Sequence, residues 1–340
     1  MTVKTLAAAL GVSPATVSNA YNRPDQLSAA LRERILAKAA ELGYAGPDAA
    51  GRALRVGRSE AVGVLLTERL SYAFSDPFAV EFLSGLSEVV EQHGVSVLLM
   101  PLSLSEDEPD VRSVQRASID ALTILSLPAD HPAGAVAKAR GIRLVSTDLV
   151  SDPDGSWVAI DDERAGVLVG EHLTGLGHHD VAVVVDTNAP AGGEVVELDA
   201  DVVTFVDYAS RLRGLRQSLT GRVEVISAGH NALASGAAAA RWLMHRPEPP
   251  TAIVGLSDVL ALGALTALTD LGYAVPTDVS VCGFDDIAAA GQNDLTTVAQ
   301  PIGERGRAVG RLLVDPEAAP RQVLLPIELV VRASTGPAPH

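Results

Sequence analysis

The sequence holds one cysteine, two tryptophans and only 4% aromatic residues in 340 positions. A single cysteine excludes an intramolecular disulfide and a multi-cysteine metal site, and cytoplasm is the simplest compartment. That residue, Cys282, sits in the apolar run VSVCGF, the setting of a buried core thiol rather than a nucleophile. No apolar run reaches the roughly 18 residues that a membrane helix needs. The opening MTVKTLAAALGVSPATVS has too short an Ala/Leu stretch, broken by Gly11, for a secretory signal. A Walker-type glycine loop is missing, and GHHDV is not a dinucleotide fingerprint. His178 and His179 are adjacent on a loop and would point apart instead of sharing a metal. An enzyme would need a nucleophile or an acid–base pair, and Asp285-Asp286 alone is too little. No cofactor, metal or membrane partner is expected.

Positive charge is also scarce: the chain carries a formal −16. The deficit is uneven. Residues 1–59 hold eight Lys/Arg against four Asp/Glu, a net +4, and the remainder holds eighteen against thirty-eight, a net −20. A local basic segment is what phosphate contact requires, and an acidic body elsewhere does not oppose it.

At 47% hydrophobic residues and this length, two to three globular domains are expected. The first sixty residues predict three short helices. Thr2 can cap a helix over Val3–Leu10, and Gly11-Val12-Ser13 breaks it. Ser13 is a good N-cap and Pro14 falls at the first helical position, where its missing N–H costs nothing. A second helix follows through Tyr21, and a third starts after Ser28 and ends at Gly43, with Leu31, Ile35, Ala39 and Leu42 at helical spacing. Two helices joined by a glycine turn and braced by a third make a helix-turn-helix, whose second helix enters the major groove. Val17 and Ala20 pack inward while Pro14, Ala15 and Asn19 face out. Ser13, Thr16, Ser18 and Asn22 are short polar groups suited to phosphate or base hydrogen bonds.

From Ala61 onward, apolar stretches at 61–66, 95–100, 121–126, 143–147, 180–185, 223–227, 251–256 and 279–284 alternate with helical segments. That alternation predicts parallel, doubly wound sheets, with a pause near 151–166 dividing them into two lobes. Ligands in such folds bind beyond the carboxyl ends of the strands.

The stretch VKTLAAALGVSPATVSNAYNRPDQLSAALRERILAKAAELGY resembles the headpiece of the LacI/GalR family of transcriptional regulators, which typically shows VSxxTVSRxLN followed by VSxxTRxRVxxAxxxLGY. Asn19 stands where that pattern has arginine. AIDDERAGVLVGEHLTGLGHHDVAVV, PTAIVGLSDVLALGALTALTDLGYAVPTDVSVCGFDDI and LTTVAQPIGERGRAVGRLLVD extend the resemblance over nearly the full chain. It implies an all-α headpiece over 1–46 and a hinge helix or linker over 47–59. It further implies a core over 60–340 like the two-lobed periplasmic binding proteins of type I. The lobes are expected at about 60–160 with 290–320, and at 161–289 with 321–335.

The resemblance implies a repressor that binds palindromic double-stranded operator DNA as a homodimer or a tetramer. A small molecule changes its DNA affinity, a sugar or derivative first and a nucleoside or purine second. A solute-binding protein would share the core but lack the headpiece. Thr2, Ser13, Pro14, Ala15, Thr16, Ser18, Asn19, Asn22 and Arg52 are the expected DNA contacts, with Leu54 as a minor-groove wedge. Gly51 would weaken the hinge helix by about 1 kcal/mol relative to alanine. The pocket is carried onto Arg211, Asp285, Asp148, Ser257 and Ser126, with Asp76 and Phe78 after the first strand adding a polar contact and an apolar wall. A guanidinium and carboxylates can grip neighbouring hydroxyls. The family usually has asparagine where this chain has Ser257. Removing Arg211 is expected to abolish the ligand response without unfolding the protein. The segment 192–210 matches no family motif and reads as a loop leading into the Arg211 helix.

Overall fold

Local capping chemistry sets the first sixty residues. In the computed structural model, which describes residues 2–46, 57–66, 70–102, 111–125, 127, 131–149, 154–187, 193–203 and 205–339, three helices form here: α1 (Val3–Leu10), α2 (Pro14–Asn22) and α3 (Ala29–Glu41). The Thr2 hydroxyl accepts from the Thr5 N–H at 3.3 Å, Ser13 from Thr16 at 3.0 Å, and Ser28 from Leu31 at 3.3 Å. Each satisfies one of the orphan donors of a helix start, a contribution of about 1 kcal/mol. Gly11 closes α1 at φ +67°, a left-handed position natural to glycine. Leu6, Val17, Ala20 and Ile35 are fully buried at the meeting of the three helices. The hinge helix, with Arg52 and Leu54, and the pocket candidate Ser126 lie outside the described residues.

The chain divides at Glu60/Ala61, and the second unit runs to the C-terminus. Its elements in chain order are β1 (Ala61–Leu66), α4 (Pro77–Gln92), β2 (Ser96–Pro101), α5 (Arg112–Arg116), β3 (Ala121–Leu125), α6 (Ala133–Ala139), β4 (Arg143–Ser146) and β5 (Ser156–Ala159). Then come α7 (Asp162–Gly175), β6 (Asp180–Val185), β7 (Val196–Leu198), α8 (Val206–Ser218), β8 (Arg222–Ser227), α9 (Leu233–Met244) and β9 (Ala252–Gly255). The last are α10 (Asp258–Leu271), β10 (Ser280–Asp285), α11 (Ala288–Gln292), β11 (Thr296–Ala299), α12 (Ile302–Val314), β12 (Gln322–Leu324) and β13 (Glu328–Val330). Two sheets result, in the orders β12-β5-β4-β3-β1-β2 and β13-β11-β10-β9-β6-β8-β7.

Every pairing in the first sheet is parallel. The second is parallel through its centre and antiparallel at both edges, where β13 pairs with β11 and β7 with β8. The central strands are buried along almost their whole length and mostly apolar, with polar residues such as Asp180, Ser280 and Asp285 at their ends, as helices on both faces require.

Two expectations are corrected. Residues 196–198 are not loop but the antiparallel edge strand β7, followed by a short 3-10 turn at Ala200–Val202. The chain also changes lobe later than the sequence suggests. β11, inside the 290–320 stretch, belongs to the second sheet, and β12, after 321, belongs to the first. Both strands are only three or four residues long, too short for a periodicity signal.

Three helix pairs cover the sheets: α4 with α12, α7 with α8, and α9 with α10. Each crossing is built on facing glycines. A Cβ on Gly85 would land on the carbonyl of Gly303, one on Gly166 on that of Arg211, and one on Gly236 on that of Leu260. The reverse holds for Gly306, Gly214 and Gly263. Backbones therefore touch at these points, which fixes how the helices bearing the site residues lie.

Candidate functional site

The cleft of the core lies where parallel strands end. Leu66 closes β1, Leu125 closes β3, and Thr147 and Asp148 follow β4; from the other sheet, Asp186 follows β6, Asn231 follows β8, Ser257 follows β9 and Asp285 ends β10. All of these line one cleft of about 870 Å³, its open mouth included. Loops beyond strand carboxyl ends are the expected site of binding in doubly wound folds.

Arg211 occupies the centre. It projects from α8 with 4% of its surface exposed, donates from Nε to Asp162 Oδ1 at 2.8 Å and from Nη1 to the Leu256 carbonyl at 2.7 Å, and lies 3.6 Å from Asp285 Oδ1. Its guanidinium carbon sits 5.0 Å from the centre of the Phe284 ring and 5.8 Å from that of Tyr208. Burial works against its charge, but Asp162, Asp285 and Asp207 outweigh that and hold its pKa above the ordinary arginine value. The residue is thus both a cleft group and a core ion pair.

Asp285 accepts from Gln300 Nε2 at 2.7 Å; Gln300 Oε1 accepts from Arg305 Nη1 at 2.8 Å, and Arg305 Nη2 donates to the Thr147 carbonyl. The chain of contacts runs from the second lobe to α12 of the first. Asp285 and Asp286 have φ of +112° and +54°. Backbone strain of about 1–3 kcal/mol at such positions persists only when the surroundings impose it, and here it turns the two carboxylates apart. Asp285 enters the cleft, while Asp286 receives Arg332 Nη2 at 2.7 Å and serves the turn.

A second network closes the opposite side. Asp76 caps α4 by accepting from the Ala79 N–H at 2.7 Å, and its other oxygen accepts from Tyr72 at 2.7 Å and Asn231 Nδ2 at 3.2 Å. Asn231 Nδ2 also lies 2.7 Å from the Tyr72 hydroxyl, and its Oδ1 accepts from Ser257 Oγ at 2.6 Å. Ser257 meanwhile caps α10 through the Leu260 N–H at 3.2 Å. Ser257 is too short to span the cleft, and Asn231 supplies the amide reach in its place. Phe78 lines the first-lobe wall, parallel to Phe82 with ring centres 6.5 Å apart.

Burial raises Asp148 from 3.8 to about 7; Asp207 adds repulsion, and Arg305 pulls the other way. Burial likewise raises Asp285 to about 7, against Arg211 and the Gln300 bond. Both carboxyls therefore retain protons that the unfolded chain would lose between about pH 4 and pH 7. Over that window the folded state binds more protons, so their contribution to stability falls as pH rises and levels off above about 7. Asp148→Asn cannot ionise. Its stability relative to the parent is expected to improve steadily from pH 4 to pH 7.5, measured by urea unfolding at each pH. A pH-independent difference would count against a protonated, half-buried Asp148.

Of the cleft residues expected from sequence, Asp76, Phe78, Asp148, Arg211, Ser257 and Asp285 come together. Those missed are Tyr72, Asp186, Asp207, Asn231 and Arg305, and behind the cleft Asp162 as the partner of Arg211. Most follow a strand end or open a helix, which was the available signal, and Asp207 lies in the segment without a motif. His178 is fully buried and bonds Thr251, Ser280 and the Gly336 carbonyl, a structural role.

In the headpiece, Ser13, Pro14 and Ala15 stand exposed at the N-terminal end of α2. Asn19 is half-buried and donates to Gln26 Oε1 at 3.2 Å, so it does not simply face out as expected. Asn22 Nδ2 bonds the Ser18 carbonyl at 3.0 Å and hydroxyl at 3.2 Å, and the Ser13 and Thr16 hydroxyls lie 2.8 Å apart. Thr2 caps α1 and is exposed.

A helix-turn-helix unit joined to a two-lobed core with a polar cleft defines a transcriptional regulator that pairs DNA binding with small-molecule sensing. Residues 2–46 match the model of the bacterial regulatory proteins of the lacI family, and residues 170–335 match a periplasmic binding protein-like domain. An HTH-type transcriptional regulator of Mycolicibacterium smegmatis is 37% identical over 353 aligned positions, covering 99% of this chain and 96% of the relative. The lac repressor dimer bound to operator and an anti-inducer superposes with a TM-score of 0.74 at 26% identity, covering 99% of each chain. The regulator CelR in complex with cellobiose superposes at 0.66 and 27% identity, covering 98% of this chain and 99% of that one. The chain belongs to the LacI family of transcriptional regulators. No enzyme family is indicated, and among the described residues no helix is long and apolar enough to cross a membrane.

Proposed function

We propose that this regulator is a repressor that acts in the cytoplasm and binds a palindromic operator as a homodimer, releasing or tightening on DNA when a sugar or sugar derivative fills the cleft. The observation that carries this reading is the pairing, in one chain, of the exposed N-terminal end of α2 with a cleft built on Arg211, Asp148 and Asp285. In each headpiece α2 enters the major groove, Ala15 and Asn19 meet base edges, and Thr2, Ser13, Thr16, Ser18 and Asn22 hold phosphates. Two-fold symmetry of the protein matches two-fold symmetry of the site.

Residues 47–59 act as the hinge, with Arg52 on the backbone and Leu54 wedged between base steps. Lobe movement around ligand changes the separation of the paired hinges. If ligand weakens DNA binding, DNA must weaken ligand binding by the same factor. A nucleoside or purine is the second reading, favoured by the aromatic walls at Phe205 and Tyr208.

The test is selection of bound sequences from random duplex DNA, followed by gel-shift titration with sugars and nucleosides. Failure to enrich any palindrome would remove the operator reading. Leu54→Ala is expected to weaken the selected operator about tenfold or more, equivalent to at least about 1.4 kcal/mol, and to leave ligand affinity of the free protein unchanged. Equal gel-shift midpoints for variant and parent would sink the wedge.

A further inference from the structure

The short polar side chains of α2 are not held alike. Ser13 and Thr16 bond each other at 2.8 Å, and Asn22 turns back onto Ser18 at 3.0 Å and 3.2 Å. Among the described residues, Asn19 alone in α2 bonds a side chain beyond the helix and its cap: its Nδ2 donates to Gln26 Oε1 at 3.2 Å. Val17 and Ala20 are buried, so helical spacing sets Ala15 and Asn19, one turn apart, on the opposite side.

Gln26 has a fixed footing. It ends the short 3-10 turn Pro24–Gln26 that follows α2. The Arg23 N–H donates to the Asn19 carbonyl at 2.9 Å, and the Gln26 N–H donates to the Arg23 carbonyl at 3.0 Å. Leu27, next in the chain, packs against the headpiece core, while the Gln26 side chain stays exposed. The backbone beneath its amide is therefore anchored to α2 by hydrogen bonds and by packing.

In the major groove an asparagine amide complements adenine, its Oδ1 accepting from N6 and its Nδ2 donating to N7. Asn19 has both to offer: one Nδ2 hydrogen remains, and among the described residues Oδ1 accepts no hydrogen bond. An amide free to turn could instead aim its N–H groups at the two acceptors of guanine, or its oxygen at the cytosine amine. Here, turning it over breaks the bond to Gln26 unless the Gln26 amide turns as well. We propose that Gln26 is a positioning residue for sequence specificity, which holds the Asn19 amide so that α2 reads adenine at one position of each operator half-site. The inference rests on the headpiece reading DNA through α2. Ala15, exposed and no larger than a methyl group, leaves the Asn19 amide uncovered one turn earlier.

The experiment varies each base pair of the selected operator symmetrically in both half-sites. Competition gel shifts then compare full-length parent, Asn19→Ala, Gln26→Ala and Gln26→Glu. The parent is expected to prefer adenine at one position by about tenfold or more over any other base, and Asn19→Ala to lose that preference. Gln26→Ala should reduce it to about threefold or less, with preferences at the other positions within about twofold of the parent's. Gln26→Glu can only accept and has no amide to turn over, so the preference for adenine should survive while its negative charge weakens all sequences alike. A headpiece that was merely damaged would lose affinity uniformly and would not be rescued by glutamate. Four results overturn the proposal and leave the operator reading intact: no change of preference in Asn19→Ala, a base other than adenine at the dependent position, the parent's profile in Gln26→Ala, or loss of the preference in Gln26→Glu. Selection of no sequence at all would overturn both.

Discussion

Replacing Arg211 by alanine is expected to cost the folded core about 3–5 kcal/mol, the usual loss when one partner of a buried ion pair is removed, and to abolish the effector response with it. Sequence alone pointed to a pocket arginine that could be deleted without unfolding. The structure places it at 4% exposure, bonded to Asp162 at 2.8 Å and to the Leu256 carbonyl at 2.7 Å. Truncation leaves the Asp162 carboxylate buried without its cation and deprives the Leu256 carbonyl of its side-chain donor. The adjacent Asp285 loses the charge that opposes its protonation. Part of the loss should return in Arg211→Ala/Asp162→Asn, because the second change removes the stranded charge. The coupling between the two sites should fall within about 0.5–3 kcal/mol. Urea unfolding of the two single variants, the double variant and the parent measures it. A single-variant loss below about 1 kcal/mol would mean that the pair is not buried in solution. Effector binding must be read well below the midpoint of unfolding, where the variant is still folded, so that lost affinity is not confused with lost structure.

The headpiece was legible because its instructions are local. Thr2, Ser13, Pro14 and Ser28 act on backbone groups within three residues, and each helix begins where its cap predicts. The central strands were equally plain, since strands covered on both faces are apolar at most positions. The cleft was legible in outline: six of the seven residues expected to line it do so, and Ser126 falls outside the described residues. What sequence could not supply was convergence. Asn231 follows β8 and Tyr72 follows β1, 159 residues apart, and nothing local says that their side chains meet at 2.7 Å. Asp207 stood in a segment with no motif, and the resemblance carried no pocket role onto Arg305. The lobe crossings slipped for a related reason: β11 and β12 are held by their neighbours, not by their own pattern.

The glycines at the helix crossings connect that convergence to function. Gly166 on α7 faces the backbone of α8 at Arg211 itself, where an added Cβ would fall on the carbonyl oxygen, and Gly214 faces Glu163 in return. Gly166→Ala should gain up to about 1 kcal/mol of helix propensity. It must also separate two backbones, with no flexible side chain between them to yield, and overpacking of this kind costs about 1–3 kcal/mol or more. The second effect is expected to win. Because the displaced segment carries Arg211, the variant should lose effector affinity by about tenfold as well as stability, while headpiece and hinge residues are untouched. Gly175→Ala is the internal control, since nothing lies within 4 Å of a Cβ there, and it should be neutral or stabilising with unchanged effector binding. Urea unfolding and calorimetry on both variants decide the matter. A stabilised Gly166→Ala that binds effector like the parent would show that the α7–α8 spacing does not set the position of Arg211.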